Sequence, residues 1–386
     1  MKRKSYGSIK EIKLLFYTTI LIILFMIIIP IMSIGIKFNL KNNKDIKVNE
    51  NIEKQSNETT EDKDKENINE GAKKEDIIDE KIEETEAVAS NNVVKEIYVD
   101  GTENVKVYRT LQNKIDEIDL EEYICGVIAN EMQVSFEEEA LKAQAIVSRT
   151  YLASKKIKKC LIANEGDICD SSHCQIYSSK EELINKWGEE NGEKYWNKIK
   201  SAVDATKGMV LTYKDELVMS PMFFDISSGA TESAVDMSLG NIPYLISVES
   251  LGEEESPKYK TKKEMTLSDL VLAINSKYPK SGINKSNLSS KLKIINRSKT
   301  GGVIKISIGN DEISGIDFKV MAGLNSTNFT YSINENTIVF ECTGYGDGVG
   351  MSKFGANVMA KSGKLYDEIL KHYYTGTNIG CLKFNK

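Results

Sequence analysis

Residues 120–152, LEEYICGVIANEMQVSFEEEALKAQAIVSRTYL, constrain the fold more than any other stretch of this chain. Leu120, Tyr123, Ile124, Val127 and Ile128 recur at three- and four-residue spacings, which predicts an amphipathic helix with one apolar stripe. Glu131 is the next position on that stripe. A carboxylate on the core-facing side of a helix is costly to ionise, because burial disfavours the charged form. That placement nominates Glu131 as a general acid. Met-Gln-Val at 132–134 breaks the helix, and Ser135 with Glu138 three residues on reads as a capping box opening a second one. There the small residues Ala140, Ala143, Ala145, Ser148 and Ala153 permit close approach of neighbours, with Gln144 and Arg149 as polar groups among them. The competing reading is a plain helical hairpin in which Glu131 only caps a helix or pairs with Arg149.

Two segments precede the globular part. Residues 14–36 are an uncharged run of 23, long enough to cross a hydrocarbon core of roughly 30 Å as a helix. Lys2, Arg3, Lys4, Lys10 and Lys13 against Glu11 predict a cytoplasmic tail over 1–13, although Lys37, Lys41, Lys44 and Lys47 on the far side oppose that orientation. A cleaved signal peptide is the alternative to an anchor, but only Ser33-Ile34-Gly35 offers small residues near a cleavable position. Residues 37–94 read as a disordered charged linker. Between 41 and 90 there is no aromatic residue or proline, and nine Lys face sixteen Asp plus Glu. The whole chain carries −6, so the remainder is close to neutral and leaves no nucleic-acid footprint.

Residues 95–386 predict one α+β domain of mixed helices and antiparallel strands. A helical pattern at 181–206 is interrupted by Gly-Glu-Glu-Asn-Gly, and 209–213 with 217–225 reads as a hairpin. Residues 267–278 and about 364–373 are helical. Strands are expected at 292–295, 303–308 and 337–341.

The chain holds only His173 and His372, so a Ser-His-Asp or Cys-His-Asn triad is poorly supported. Cys169-Asp-Ser-Ser-His173-Cys174 packs three soft or borderline ligands into six residues, with Cys160 nine residues upstream of the first. Zn²⁺ through Cys169, His173 and Cys174 is the expectation, as a structural site. Disulfides among these cysteines, Cys125, Cys342 and Cys381 are the alternative in an oxidising compartment. Ser227, Ser228 and Gly229 follow an expected strand, where hydroxyls and open backbone suit a sugar or an ordinary turn. Gly344-Tyr345-Gly346-Asp347-Gly348-Val349-Gly350 is too rich in glycine for a strand interior and implies close backbone approach to a ligand or another segment. Trp187 and Trp196 are read as core anchors rather than sugar platforms.

ANEM followed by FEEEALKAQAIVSRTY resembles the core of the stage II sporulation protein D family, peptidoglycan lytic transglycosylases of endospore formation. SSGATES at 227–233 and GYGDGVGMSKFGA at 344–356 resemble two further blocks of that family. The resemblance implies a saccharide cleft with Glu131 as catalytic acid. It implies substrate contacts from Arg149, Gln175, Tyr177, Ser227, Ser228, Gly229, Asp347, Met351 and Ser352. At three positions this chain departs from the pattern: Asp347 stands where the family usually has His, Lys353 for Gln, and Phe354 for Tyr or Trp. The implied substrate is peptidoglycan glycan strands stripped of stem peptides, cleaved to 1,6-anhydro ends. The implied partners are the sporulation amidase and the membrane scaffold of the engulfment machinery, and the implied place is the mother-cell membrane facing the forespore. A hydrolytic muramidase, with Asp347 or Asp225 as second carboxylate, and a non-catalytic wall-binding module are the alternatives.

Overall fold

The computed structural model describes residues 94–385. The expected anchor at 14–36 and nearly all of the expected linker at 37–94 lie outside the described residues. Among the described residues no helix is long and apolar enough to cross a membrane.

The described chain is α+β. Strand β1 (Glu96–Asp100) is followed by the hairpin β2 (Asn104–Arg109) and β3 (Lys114–Asp119). Helix α1 (Leu120–Glu131) begins directly after β3, because the Asp119 carboxylate accepts the N–H groups of Glu121 and Glu122 at 3.0 and 3.1 Å. The predicted stripe is buried, and so are Cys125, Gly126 and Ala129, so α1 is covered on nearly every side. Gly126 makes one of those contacts possible, since a β-carbon there would meet the Ser178 carbonyl and the Tyr177 ring. Helix α2 (Glu138–Ile157) follows. Its expected capping box does not form: the N-cap is Glu137, two residues after Ser135, and it makes no side-chain cap bond.

Helices α3 (Lys180–Trp187) and α4 (Glu189–Ala205) are separated at Gly188, in the predicted interruption. Strand β4 (Met209–Tyr213) pairs with Glu216–Leu217, but the expected hairpin partner stops there. Pro221 has no N–H to continue the ladder. Beyond it β5 (Phe223–Phe224) pairs elsewhere.

Residues 260–343 form a second lobe with its own core of Leu270, Ile274, Ile306, Phe318, Phe329 and Phe340. It contains β6 (Lys260–Thr266), α5 (Leu267–Lys277), β7 (Leu292–Arg297), β8 (Val303–Ile308), β9 (Asp311–Ser314), α6 (Gly315–Ala322), β10 (Phe329–Ile333) and β11 (Thr337–Thr343). Two three-stranded sheets result, β6-β11-β10 and β7-β8-β9. Glu232, buried in the first lobe's SSGATES stretch, accepts the Gly302 N–H at 3.0 Å and ties the lobes together.

The chain then returns to the first core through β12 (Met351–Ser352), α7 (Lys353–Lys361), α8 (Tyr366–Tyr373) and β13 (Asn378–Asn385). Strand β13 lies between β1, which it meets in parallel, and β4, which it meets antiparallel. The expected antiparallel pairing is therefore not general: a last strand inserted beside the first gives one parallel pair, β5 with β12 gives another, and Ile168–Cys169 joins β2 in parallel as well. The glycine-rich run at 344–350 lies against residues 222–232. Gly350, at φ +90°, is the tightest point, because a β-carbon would collide with the Met222 carbonyl.

Candidate active site

Helix α1 ends at Glu131, where Met132 turns the backbone to an extended conformation. Its side chain is 14% exposed, and Oε2 accepts a hydrogen bond from Lys353 Nζ at 2.8 Å. The same ammonium lies 2.6 Å from Asp225 Oδ1 and 5.6 Å from the Phe223 ring centre. Burial lowers the proton affinity of Lys353, but Glu131 and Asp225 outweigh it and hold the group above its ordinary range. The apolar surroundings expected for Glu131 are thus replaced by an ion pair. Nor does Glu131 meet Arg149.

Two hollows open on either side of this cluster, and Glu131, Asp225 and Lys353 line both. One, of about 380 Å³, is completed by Asn130, Gln133, Phe136, Ile176, Lys258 and Phe354 among others. The other, of about 310 Å³, has Phe223, Lys319, Asn325, Tyr345 and Asp347 in its walls. Lys319 and Asn325 come from the second lobe, so both lobes build this side. Asp347 is paired with Lys319 at 2.6 Å. Glu131 therefore faces both hollows, where its carboxyl can exchange a proton with a group bound in either.

Several residues expected to touch substrate lie inside the walls. Arg149 is fully buried, where its guanidinium binds Glu121 and the Met209 carbonyl and joins α2 to the start of α1 and to β4. Gln175 is buried, accepting the Tyr123 hydroxyl at 3.2 Å, and Tyr177 stacks on Tyr123 at 5.2 Å beneath Arg109. Met351 is wholly in the core. Ser227 gives its N–H to Glu253 and its hydroxyl to the Ser250 carbonyl, while Ser352 caps α7 and bonds Glu253 Oε2 at 2.6 Å. Ser228 and Gly229 are half-buried and line neither hollow; Gly229 pairs with Ser250. Arg149, Gln175, Ser227 and Ser352 are thus buried with polar partners inside the protein.

Sequence reasoning missed Glu253. It is 1% exposed, held by Ser227, Ser250 and Ser352, and burial pushes its carboxyl above the ordinary 4.5. It lies in a loop without periodicity, and the serines that hold it are remote in sequence. Lys353 was visible only as a departure from a motif, with nothing to show that it would reach Glu131.

The Cys/His expectation gains a fourth member. Cys160, Cys169, His173 and Cys174 bring their donor atoms within 4.8 Å of one another, and none is in a disulfide. Cys160 Sγ is 3.3 Å from Cys174 Sγ, and His173 Nδ1 is 3.4–3.7 Å from the three sulfurs. Ligands at zinc bond lengths stand about 3.3–3.8 Å apart around a tetrahedral ion, so the four fit such a site. Arg109 and Thr110 grip Asp170 between the ligands, which fixes the loop against β2. Although burial works against it, hydrogen bonds from Cys174 and the 162 and 163 backbone hold the Cys160 thiol below its usual range. His372 is elsewhere, with Nε2 at the Glu249 carbonyl. Trp196 is buried as a core anchor.

A family model described as stage II sporulation protein, SpoIID, matches residues 108–213. The chain is similar to stage II sporulation protein D of Bacillus subtilis (strain 168), 38% identical over 278 residues covering 72% of this chain and 78% of the relative. It is likewise similar to that of Bacillus amyloliquefaciens, 36% identical over 283 residues, with the same two shares. A more distant relative is the amidase enhancer of Bacillus subtilis (strain 168), 27% identical over 302 residues, 66% of this chain and 40% of the relative.

Proposed function

The chain belongs to the stage II sporulation protein D family, and we propose that it is a membrane-anchored lytic transglycosylase of peptidoglycan. The bond cleaved is the β-1,4 link from N-acetylmuramic acid to N-acetylglucosamine. The observation that carries this reading is the position of Glu131 between the two hollows. Protonated Glu131 gives its proton to the glycosidic oxygen as the bond to C1 breaks. The muramoyl C6 hydroxyl then closes onto C1, and the Glu131 carboxylate takes the proton released. No water is consumed, and the products are a free N-acetylglucosamine hydroxyl and a 1,6-anhydro ring.

Glycan strands stripped of peptide are the substrate, an amidase and the engulfment scaffold are the partners, and engulfment at the mother-cell membrane is the setting. The family assignment and the amidase enhancer relative support the link to an amidase and to the wall. Cys160, Cys169, His173 and Cys174 hold Zn²⁺, which braces the loop behind Ile176 in the first hollow. The reaction steps are carried by Glu131 without it.

One observation favours hydrolysis as a second reading. Glu131 and Asp225 bond to one nitrogen, so their oxygens stand no further apart than the 2.8 and 2.6 Å bonds laid end to end. Retaining glycosidases keep two carboxyl groups about 5–5.5 Å apart. Digestion of peptide-free strands and mass spectrometry of the released disaccharides decides: anhydro ends support the transglycosylase, and products one water heavier replace it with the hydrolase.

A further inference from the structure

Lys353 and Asp225 are neighbours through the backbone, whereas Glu131 meets them from a separate element. Strands β5 and β12 pair in parallel with Met351 opposite Phe223 and Ser352 opposite Phe224, so the next positions along them are Lys353 and Asp225. The Phe354 N–H donates to the Asp225 carbonyl at 3.0 Å, and the Ser352 hydroxyl points to the same oxygen at 3.4 Å. Buried Glu253 holds Ser352 from behind. The pair is therefore one rigid unit. Glu131 comes to it on the last residue of α1, and Lys353, 8% exposed, spans both carboxylates.

We propose that Lys353 is a positioning residue that divides its ammonium between the two carboxylates, and that Asp225 draws it off Glu131 while Glu131 carries its proton. This rests on the reading of Glu131 as proton donor. An ammonium beside a carboxylate favours the charged form. That opposes the protonated state in which Glu131 must wait before the first half and which it regains in the second, and it helps only while the carboxyl is ionised between them. A lysine that can retreat onto Asp225 serves both halves. Lys353 keeps its own protons throughout, in accord with the raised proton affinity that both carboxylates impose on it. Glutamine, the residue usual at this position in the resembling family, has no charge to divide, so Lys353 brings with it a need for Asp225.

The charged groups lining the hollows around Glu131 are Asp225, Lys258, Lys319, Asp347 and Lys353, and of these Lys319 and Asp347 are bonded to each other. The test measures kcat, KM and the pH profile of anhydro-disaccharide release from peptide-free strands. It uses the full chain with Asp225→Asn, Lys353→Gln, both together, and Glu131→Gln, each first checked for a cooperative melt. Asp225→Asn leaves Lys353 only Glu131 to bind, and kcat should fall at least about tenfold, with the alkaline fall of the profile moved to lower pH. In the Lys353→Gln background the same change should cost less than about threefold, because no charge is left to redirect. Lys353→Met, which keeps an unbranched stem without charge, repeats the comparison in place of Gln. An equal loss from Asp225→Asn in both backgrounds overturns the proposal, since Asp225 would then act on the sugar itself. Lys353→Gln as inactive as Glu131→Gln overturns it too, because Lys353 would then take part in the reaction directly. Undiminished activity in Glu131→Gln is a separate result that removes the acid assignment.

Discussion

Lys353 and Glu131 stand 222 positions apart in the chain and meet at 2.8 Å in the lining common to the two hollows. The contact joins the end of α1 to the start of α7. It makes the site a charged triad with Asp225 rather than a lone carboxyl in an apolar pocket. In the mechanism proposed above, the exchange of Lys353 between Glu131 and Asp225, rather than burial alone, sets when Glu131 holds its proton.

Glu131→Gln should release anhydro products at least about a hundredfold more slowly, since positioned proton transfer contributes about 10²–10⁴ in rate. Stability should stay within about 2 kcal/mol of wild type, because Lys353 keeps Asp225 as a partner. Disaccharide release and urea midpoints measure the two. Near wild-type release would eliminate Glu131 as the acid.

Arg149→Ala should act on the fold and leave substrate affinity alone. It strips Glu121 and the Met209 carbonyl of their buried partner, at a cost of about 3–5 kcal/mol. The urea midpoint should drop while KM of the remaining folded protein is unchanged. A raised KM at unchanged stability would return Arg149 to the substrate site.

Elemental analysis of the purified domain should find about one Zn²⁺ per chain, and chelation should lower Tm. Cys160→Ser, which removes the ligand that lies furthest away in sequence, should lower Tm before it lowers activity per folded molecule. A mapped Cys160–Cys174 disulfide in metal-free protein would sink the zinc assignment.

Glu253 should leave a pH signature on stability. Its folded-state carboxyl binds a proton more tightly than the unfolded chain's, whose value is the ordinary 4.5, so between the two values the folded state holds more protons. Its contribution is flat below 4.5 and falls as pH rises through the folded-state value. Wild type should therefore lose stability relative to Glu253→Gln between pH 4.5 and 7. The difference in urea midpoints across that range checks it, and an opposite trend would reject a carboxyl raised by burial.

Local chemistry determined a good part of this protein from sequence alone. The stripe from Leu120 to Ile128 and the Met-Gln-Val break after it set α1 and its end at Glu131, the Gly188 interruption separated α3 from α4, and the crowding of Cys169, His173 and Cys174 marked the cysteine-histidine loop. Each depends on residues within a few positions of one another, where helix period, backbone freedom and spacing suffice. Only the tertiary structure decided that Arg149 and Gln175 lie inside, that Cys160 joins the cluster of Cys169, His173 and Cys174, and that Glu253 underpins Ser227 and Ser352. It alone brought Lys353 and Asp225 to Glu131. These outcomes depend on which segments share a core and on the register of β5 against β12, and burial and electrostatics act through space rather than along the chain. The same polar residue type is therefore a substrate contact or an internal brace according to what the rest of the fold places over it.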